Sequence, residues 1–460
     1  MNSNTNIKQG YKQTSLGILP QEWEVVRLGE VCFVQSGGTP PKNEKSYWEN
    51  GTIKWLGSSV CKNLHYIDEI TDFITEKGLQ NSSAKIFKQG TTLIALVGAT
   101  IGKVAFLNFE ATTNQNIAGI YPQDEKKLNQ TFLFYISLML HKEFIRLSSD
   151  KFKMANLSFI KSLQIPLPPL AEQEKIAQIL SVWDKGISIL KSLIEAKTKR
   201  KKALMQRLLT PPCESLTPSL RASETSAAIH NKSVDCHDLT ASNLAKTEKD
   251  SKAKQSLRFA EFTDKWQEMR LGDICENRRG SFPQPYGLKK WYGGDEAMPF
   301  VQVIDIDENL RLKSKTKQTI SKLAQPKSVF VHKNTILSSI QGSIGRVALT
   351  QYDCYADRTI AIFTNLKPQI DSIFFLYSLD KLFKTKAKGA RGSTIKTITK
   401  EEFNDFIIHI PTLAEQKKIA QVLSACDKEI ELLKSKFQCL KTQKRGLMQR
   451  LLNGEVRVKC

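Results

Sequence analysis

Two stretches of the chain alternate apolar and polar positions with a period of seven. In residues 170–209, Ile176, Leu180, Trp183, Ile187, Leu190 and Ile194 step by four and three, and Leu204 and Leu208 continue the series beyond two lysines, Lys197 and Lys201. This spacing draws one narrow apolar seam along a helix. Residues 413–452 repeat it with Ile419, Leu423, Cys426, Ile430, Leu433, Phe437, Leu440, Leu447 and Leu451, and Lys444 stands where the first copy has Lys201. At a constant offset of 243 residues the two stretches match at about 23 of 40 positions, far above chance, so they are copies of one element. Each copy predicts one long helix. A seam this narrow needs a partner helix, and the other copy supplies it. Lys197, Lys201 and Lys444 depart from the apolar stripe. Snorkelling past the seam is the favoured account, and an outward turn of the helices toward a partner subunit is the alternative.

The repeat extends upstream of the helices. Trp23, Leu28, Gly29 and Cys32 face Trp266, Leu271, Gly272 and Cys275, and Ile101, Gly102, Val104 and Ala105 face Ile344, Gly345, Val347 and Ala348, all at the same offset. Asn114, Ile117 and Ala118 match Asp357, Ile360 and Ala361. Residues 88–107 read as strand, glycine turn and strand. Gly98 to Lys103 is too short for a phosphate loop, and Val104 stands where that motif needs Ser or Thr. Residues 131–147 read as a buried helix with residues 372–382 as counterpart. Pro168, Pro169 and Pro411 fix extended leads into the long helices, and the Ala-Glu-Gln that follows supplies polar groups to the first helical turn. Residues 210–255 are rich in Ser, Thr, Ala, Lys and Asp without apolar periodicity, and predict a flexible linker long enough for an antiparallel helix pair.

The fold class expected is therefore α/β (α+β): two globular domains, 1–165 and 256–410, separated by a pair of long antiparallel coiled-coil helices, 166–209 and 411–460, in a pseudo-two-fold internal repeat. Helices of about 36 residues would run roughly 54 Å. That exceeds one DNA turn of about 34 Å, so two domains held apart by them could sit on two separated short sequences.

Charge gives the repeat a partner. With 68 Lys and Arg against 46 Asp and Glu the net charge is +22, which favours a polyanion. Two basic, polar segments recur after the buried helices and are candidate DNA-backbone contacts. Residues 148–160 carry Lys151, Lys153, Asn156 and Ser158; residues 384–396 carry Lys386, Lys388, Arg391, Ser393, Thr394 and Lys396. Cations and hydroxyls suit phosphate oxygens, with a solvated loop as the plain alternative.

Other chemistry finds little support. Nine cysteines form no CxxC pair, which fits a reduced cytoplasmic compartment, and Cys236-His237 has no second pair at zinc-site spacing. The N-terminus has no apolar stretch of signal-peptide length, and no run approaches about 18 apolar residues. Pro283-Gln284-Pro285-Tyr286 lacks the leading Asn or acidic residue of an amino-methyltransferase motif, and no HExxH, GxSxG or Walker motif appears. The sequence therefore predicts no catalytic residue and no metal site.

The strings PLPPLAEQEKIAQIL…LMQRLL and IPTLAEQKKIAQVL…LMQRLL, with WEVVRLGEV, LIALVGATIGKVAF and ATTNQNIA in order ahead of the first, resemble the specificity (S) subunit of type I restriction-modification systems over nearly the whole chain. The resemblance implies two target-recognition domains, each reading half of a bipartite duplex DNA site. It also implies paired helices that separate them and dock two methyltransferase (M) subunits, with restriction and translocase (R) subunits joining through those. S-adenosylmethionine, ATP and magnesium would then sit on the partner subunits and no cofactor on this chain. A coiled-coil nucleic-acid-binding scaffold outside restriction-modification would explain helices and charge. It would not explain two domains with shared anchors and divergent segments between.

Overall fold

The computed structural model describes residues 7–63, 65, 67, 70–147, 154–212, 256–389 and 400–459. These fall into two compact units, residues 1–192 with 435–460 and residues 193–434. Each unit therefore contains one globular domain, the start of the helix that follows it and the end of the other long helix.

In the first unit a hairpin of β1 (Tyr11–Thr14) and β2 (Gly17–Pro20) precedes β3 (Glu24–Arg27), α1 (Leu28–Val31) and β4 (Cys32–Ser36). There follow β5 (Ile53–Leu56), β6 (Asp72–Ile74), α2 (Glu76–Gln80), β7 (Ile86–Phe87), β8 (Thr92–Ala95), β9 (Val104–Phe106), β10 (Ala111–Thr113) and β11 (Ile117–Pro122). The domain closes with α3 (Gln130–Met139), α4 (His141–Leu147), α5 (Leu157–Ser162) and β12 (Gln164–Leu167), which leads into α6 (Leu170–Leu208). The helix expected over 131–147 is thus two helices that break at Leu140.

Two four-stranded sheets form, in the orders β4-β11-β8-β9 and β6-β5-β10-β7, and β12 pairs with β3. The first is antiparallel throughout, while β5 and β10 run parallel. Successive side chains of a strand point to opposite faces, and β8 shows what that does here. Leu93 and Ala95 join Leu56, Phe87 and Ala105 in the core between the sheets, and Ile94 joins Val104, Phe132 and Ile176 in the core toward the helices. All four β8 residues are buried, as a strand covered on both faces requires. Full burial of one such aliphatic side chain contributes about 1.5–3 kcal/mol.

The second unit repeats the plan. Its elements are β13 (Gln267–Arg270), α7 (Leu271–Ile274), β14 (Glu276–Arg279), β15 (Met298–Val301), β16 (Gln318–Ile320) and β17 (Val329–Val331). They continue with β18 (Ile336–Ser339), β19 (Val347–Leu349), β20 (Cys354–Ala356), β21 (Ile360–Thr364), α8 (Ser372–Gly389), α9 (Lys400–Asn404), β22 (Ile407–Ile410) and α10 (Leu413–Leu452). The sheet orders β14-β21-β18-β19 and β16-β15-β20-β17, and the β13-β22 pair, match the first unit strand for strand. Among the described residues no helix is long and apolar enough to cross a membrane.

The glycine turn of residues 98–102 has a packing role. Gly98 and Gly102 take φ of 69° and 70°, and a Cβ on Gly102 would lie 2.6 Å from the Phe144 ring. Gly345 repeats this at φ 80°, with Phe383 Cβ 2.6 Å from such an atom. A left-handed backbone pressed against an aromatic side chain leaves room for glycine alone.

Candidate functional site

Within each unit the start of one long helix packs antiparallel against the end of the other, and the globular domain bolts onto both through the same residues. In the first unit the Tyr135 hydroxyl of α3 donates to Asp184 Oδ2 of α6 at 2.7 Å, and Lys444 of α10 pairs with the same carboxylate. In the second unit the Tyr377 hydroxyl donates to Asp427 Oδ2 at 2.6 Å, and Lys201 Nζ lies 2.5 Å from Asp427 Oδ1. Each ammonium also sits 5.3 Å over the ring of its tyrosine. Burial, and then the Asp427 charge, push the Tyr377 hydroxyl far above its ordinary range, so it stays a donor.

This settles the lysines that interrupt the seam. They neither snorkel outward nor mark an outward turn: Lys201 and Lys444 reach across to an aspartate, and Lys197 Nζ lies 2.5 Å from Glu429. The Lys201 and Asp427 side chains are 16% and 24% exposed, little enough that a cation there needs its partner. The seam itself is buried at Ile176, Leu180, Leu190, Leu204, Leu208, Ile419, Leu423, Cys426, Ile430 and Leu451. It is half-buried at Trp183, Ile187, Ile194, Leu433, Phe437, Leu440 and Leu447. All of the buried positions except Leu190 and Ile430 share a core with a globular domain.

The Ala-Glu-Gln at each helix start does more than supply a first turn. Gln173 accepts from Asn129 N at 2.9 Å and donates to the carbonyls of Lys127 and Pro168, and Gln416 accepts from Asp371 N at 2.9 Å and donates to those of Gln369 and Pro411. Each glutamine thereby ties its long helix to the turn that starts α3 or α8. Glu172 accepts from Trp23 Nε1 at 2.9 Å and from Arg457, while Glu415 accepts from Arg258 at 2.9 and 2.8 Å. Both glutamates are almost fully buried, at 2% and 1% exposure, so the arginines carry the counter-charge. Sequence reading missed Tyr135, Tyr377, both aspartates and both arginines. Asp184 and Asp427 recur at the common offset, which was the available signal.

The candidate DNA-backbone residues fare unevenly. Lys151, Lys153, Arg391, Ser393, Thr394 and Lys396 lie outside the described residues. Ser158 is exposed on α5, but the Asn156 side chain is taken up in capping that helix, accepting from Phe159 N at 2.8 Å. The loop expected from residue 384 is helical through Gly389, because Phe383 stays buried and Lys384 pairs with Asp380 one turn back at 2.6 Å. Lys386 is exposed on this helix with its ammonium 5.4 Å over the Phe406 ring, and Lys388 follows two residues later in the same helix.

A family model described as type I restriction modification DNA specificity domain matches residues 20–198 and again 263–442. The specificity subunit of the type I restriction enzyme MjaIX of Methanocaldococcus jannaschii is 24% identical over 458 residues, covering 97% of this chain and 96% of that one. The EcoR124I/EcoR124II specificity subunit of Escherichia coli is 28% identical over 180 residues, 38% of this chain and 44% of that one. The crystal structure of the S subunit of a type I restriction-modification system from M. genitalium shares the fold at a TM-score of 0.55 and 15% identity, covering 98% of both chains. A chain from a structure of type I R-M complex assembly and conformational transition does so at 0.56 and 18%, covering 95% of this chain and 99% of that one.

Proposed function

Because the chain belongs to the type I restriction-modification DNA specificity family, we propose that its two domains read the two different halves of an asymmetric, bipartite duplex site, with the paired helices setting the distance between the halves. Its own part is sequence recognition rather than catalysis, as in relatives that are specificity subunits. The observation that carries the reading is duplication with divergence: two domains repeat one strand order and one joint to the helices, yet carry different side chains elsewhere. A scaffold built twice around different surfaces suits two recognition tasks on one ligand.

The net charge of +22 favours association with the phosphate backbone. Methyltransferase subunits, two by the repeat, dock on the outer faces of the helices, where Ile189 and Leu432, equivalent by the offset, are 60% and 62% exposed. Restriction subunits join through them, and S-adenosylmethionine, ATP and magnesium belong to those partners. The assembly works in the cytoplasm, where its DNA is.

Helix length tests the spacing. One heptad inserted into both helices adds about 10.5 Å, or about three base pairs, to the separation. Methylation mapping in cells carrying the variant with its methyltransferase is expected to show a longer spacer between unchanged half-sites. An unchanged spacer would sink the ruler.

A further inference from the structure

The two domains share a depression whose frame is the same and whose side chains are not. In each, a proline-rich segment leaves the first sheet at a glycine pressed against the parallel strand pair: a Cβ on Gly37 would lie 2.1 Å from Thr113 O, and one on Gly280 2.2 Å from Ala356 O. In each, an indole then holds the segment, with Trp48 Nε1 donating to Pro41 O at 3.1 Å and Trp291 Nε1 to Pro285 O at 3.2 Å. Beneath lies a buried aromatic ring of the next strand, Trp55 or Phe300. The turn after β10 or β20 completes the frame, Asn114 N donating to Leu56 O and Asp357 N to Val301 O, both at 3.0 Å.

What fills the frame differs. In the second domain a cleft of about 600 Å³ is bounded by Tyr286, Lys289, Tyr292, Gln302, Lys317 and Gln318. Its tyrosine is held in place. The hydroxyl of Tyr286 donates to the buried carboxylate of Asp357 at 2.8 Å and accepts from Gln302 Nε2 at 3.0 Å, with the Arg358 guanidinium 5.4 Å over the ring. In the first domain the corresponding cleft, about 270 Å³, is lined by Lys42, Trp48, Trp55 and Asp72.

We infer that these clefts are the base-reading surfaces of the two domains, Gln318 beside the fixed Tyr286 presenting its amide to base edges of one half-site and Asp72 presenting a carboxylate to the other. This rests on the bipartite reading proposed above. The chemistry fits the grooves of duplex DNA: an amide pairs with the N6 and N7 edge of adenine, and a carboxylate accepts from the amino group of cytosine. Lys289 and Lys317 at the rim meet phosphates, which position the duplex without choosing its sequence. The difference between an amide and a carboxylate at the same place in the frame is what makes the halves unlike.

Methylation mapping of cells producing the full chain with its methyltransferase subunits tests this with three variants, each first checked for a wild-type melting temperature. Gln318→Ala is expected to raise modification of sites differing at one or more bases of a single half by about tenfold or more. Asp72→Asn is expected to relax the opposite half. Lys289→Ala with Lys317→Ala lowers modification at every site without changing which sites are used. Should Gln318→Ala melt early, Gln318→Glu, of the same size, is read instead and is expected to change bases in the same half. Unchanged stringency with Gln318→Ala, relaxation of one and the same half by Gln318→Ala and Asp72→Asn, or a new site preference from the lysine variant would overturn the assignment. A wild-type chain that directs no bipartite pattern would instead overturn the function on which it rests.

Discussion

At the joint the two domains do the same thing with the same residue types. A tyrosine, an aspartate and a lysine meet in each, and a buried glutamate and glutamine clamp the start of each long helix. In the cleft they share a glycine, an indole-held proline segment and an aromatic floor, but Lys42 and Asp72 stand against Lys289, Gln302, Lys317 and Gln318. The difference follows from what each region must hold. A joint has to fix an angle and a distance, so any change to its buried charges costs stability. A cleft open to solvent tolerates substitution at little cost to folding, and so two copies of one scaffold can come to carry different surfaces.

The strongest way to break that comparison is to remove the joint's acceptor. Asp427→Ala leaves the largely buried Lys201 ammonium and the Tyr377 hydroxyl without their partner. Stripping one member of a buried pair costs 3–5 kcal/mol, and discounting for the residual exposure leaves about 3 kcal/mol. Asp184→Ala is expected to cost about the same, because Lys444 and Tyr135 lose the same contacts. Urea denaturation gives both values, and a large loss in one with none in the other would end the equivalence of the joints.

Next in size is the frame of the cleft. Gly37→Ala and Gly280→Ala force a methyl group to within 2.1 Å and 2.2 Å of a backbone oxygen. Overpacking of this kind costs about 1–3 kcal/mol, and a lowered thermal midpoint for both checks it.

A smaller effect separates the units. His65 stacks on Phe134 at 5.1 Å, and its burial, aided by the Lys444 charge and opposed by that of Asp184, lowers its pKa below the ordinary 6.5. The unfolded chain takes up that proton first, so stability contributed at neutral pH is lost as pH falls below about 6.5. In the second unit Arg311 pairs with Glu431, one turn beyond Asp427, at 3.3 Å instead. Hydrogen exchange between pH 7 and pH 5 is expected to show the first unit loosening more than the second, and His65→Phe to remove the excess.

The sequence carried the architecture because the architecture is repeated. Heptad spacing named both helices, and anchors such as Gly102 and Gly345 placed the domains in one register. The joint was harder to read. Lys201 and Lys444 looked like flaws in a seam because their partners, Asp427 and Asp184, sit beside the seam on the opposite helix, and only antiparallel packing brings them together. Arg258 and Arg457 lie outside both long helices, where no periodicity marks them. Basic segments drew notice through charge, hydroxyls and recurrence, which cannot say that Asn156 caps a helix or that residues 384–389 continue one. The clefts were invisible because they join separate short segments that only the fold brings together, at positions where the two copies do not match.

The central claim is one domain for one half-site, and domain exchange tests it most directly. Residues 20–165 are replaced by the corresponding domain of another specificity subunit, with both long helices left intact, and modified sites are mapped in cells that also carry the methyltransferase. One half of the site is expected to change, while the other half and the spacer stay as they were. A change in both halves would contradict the account.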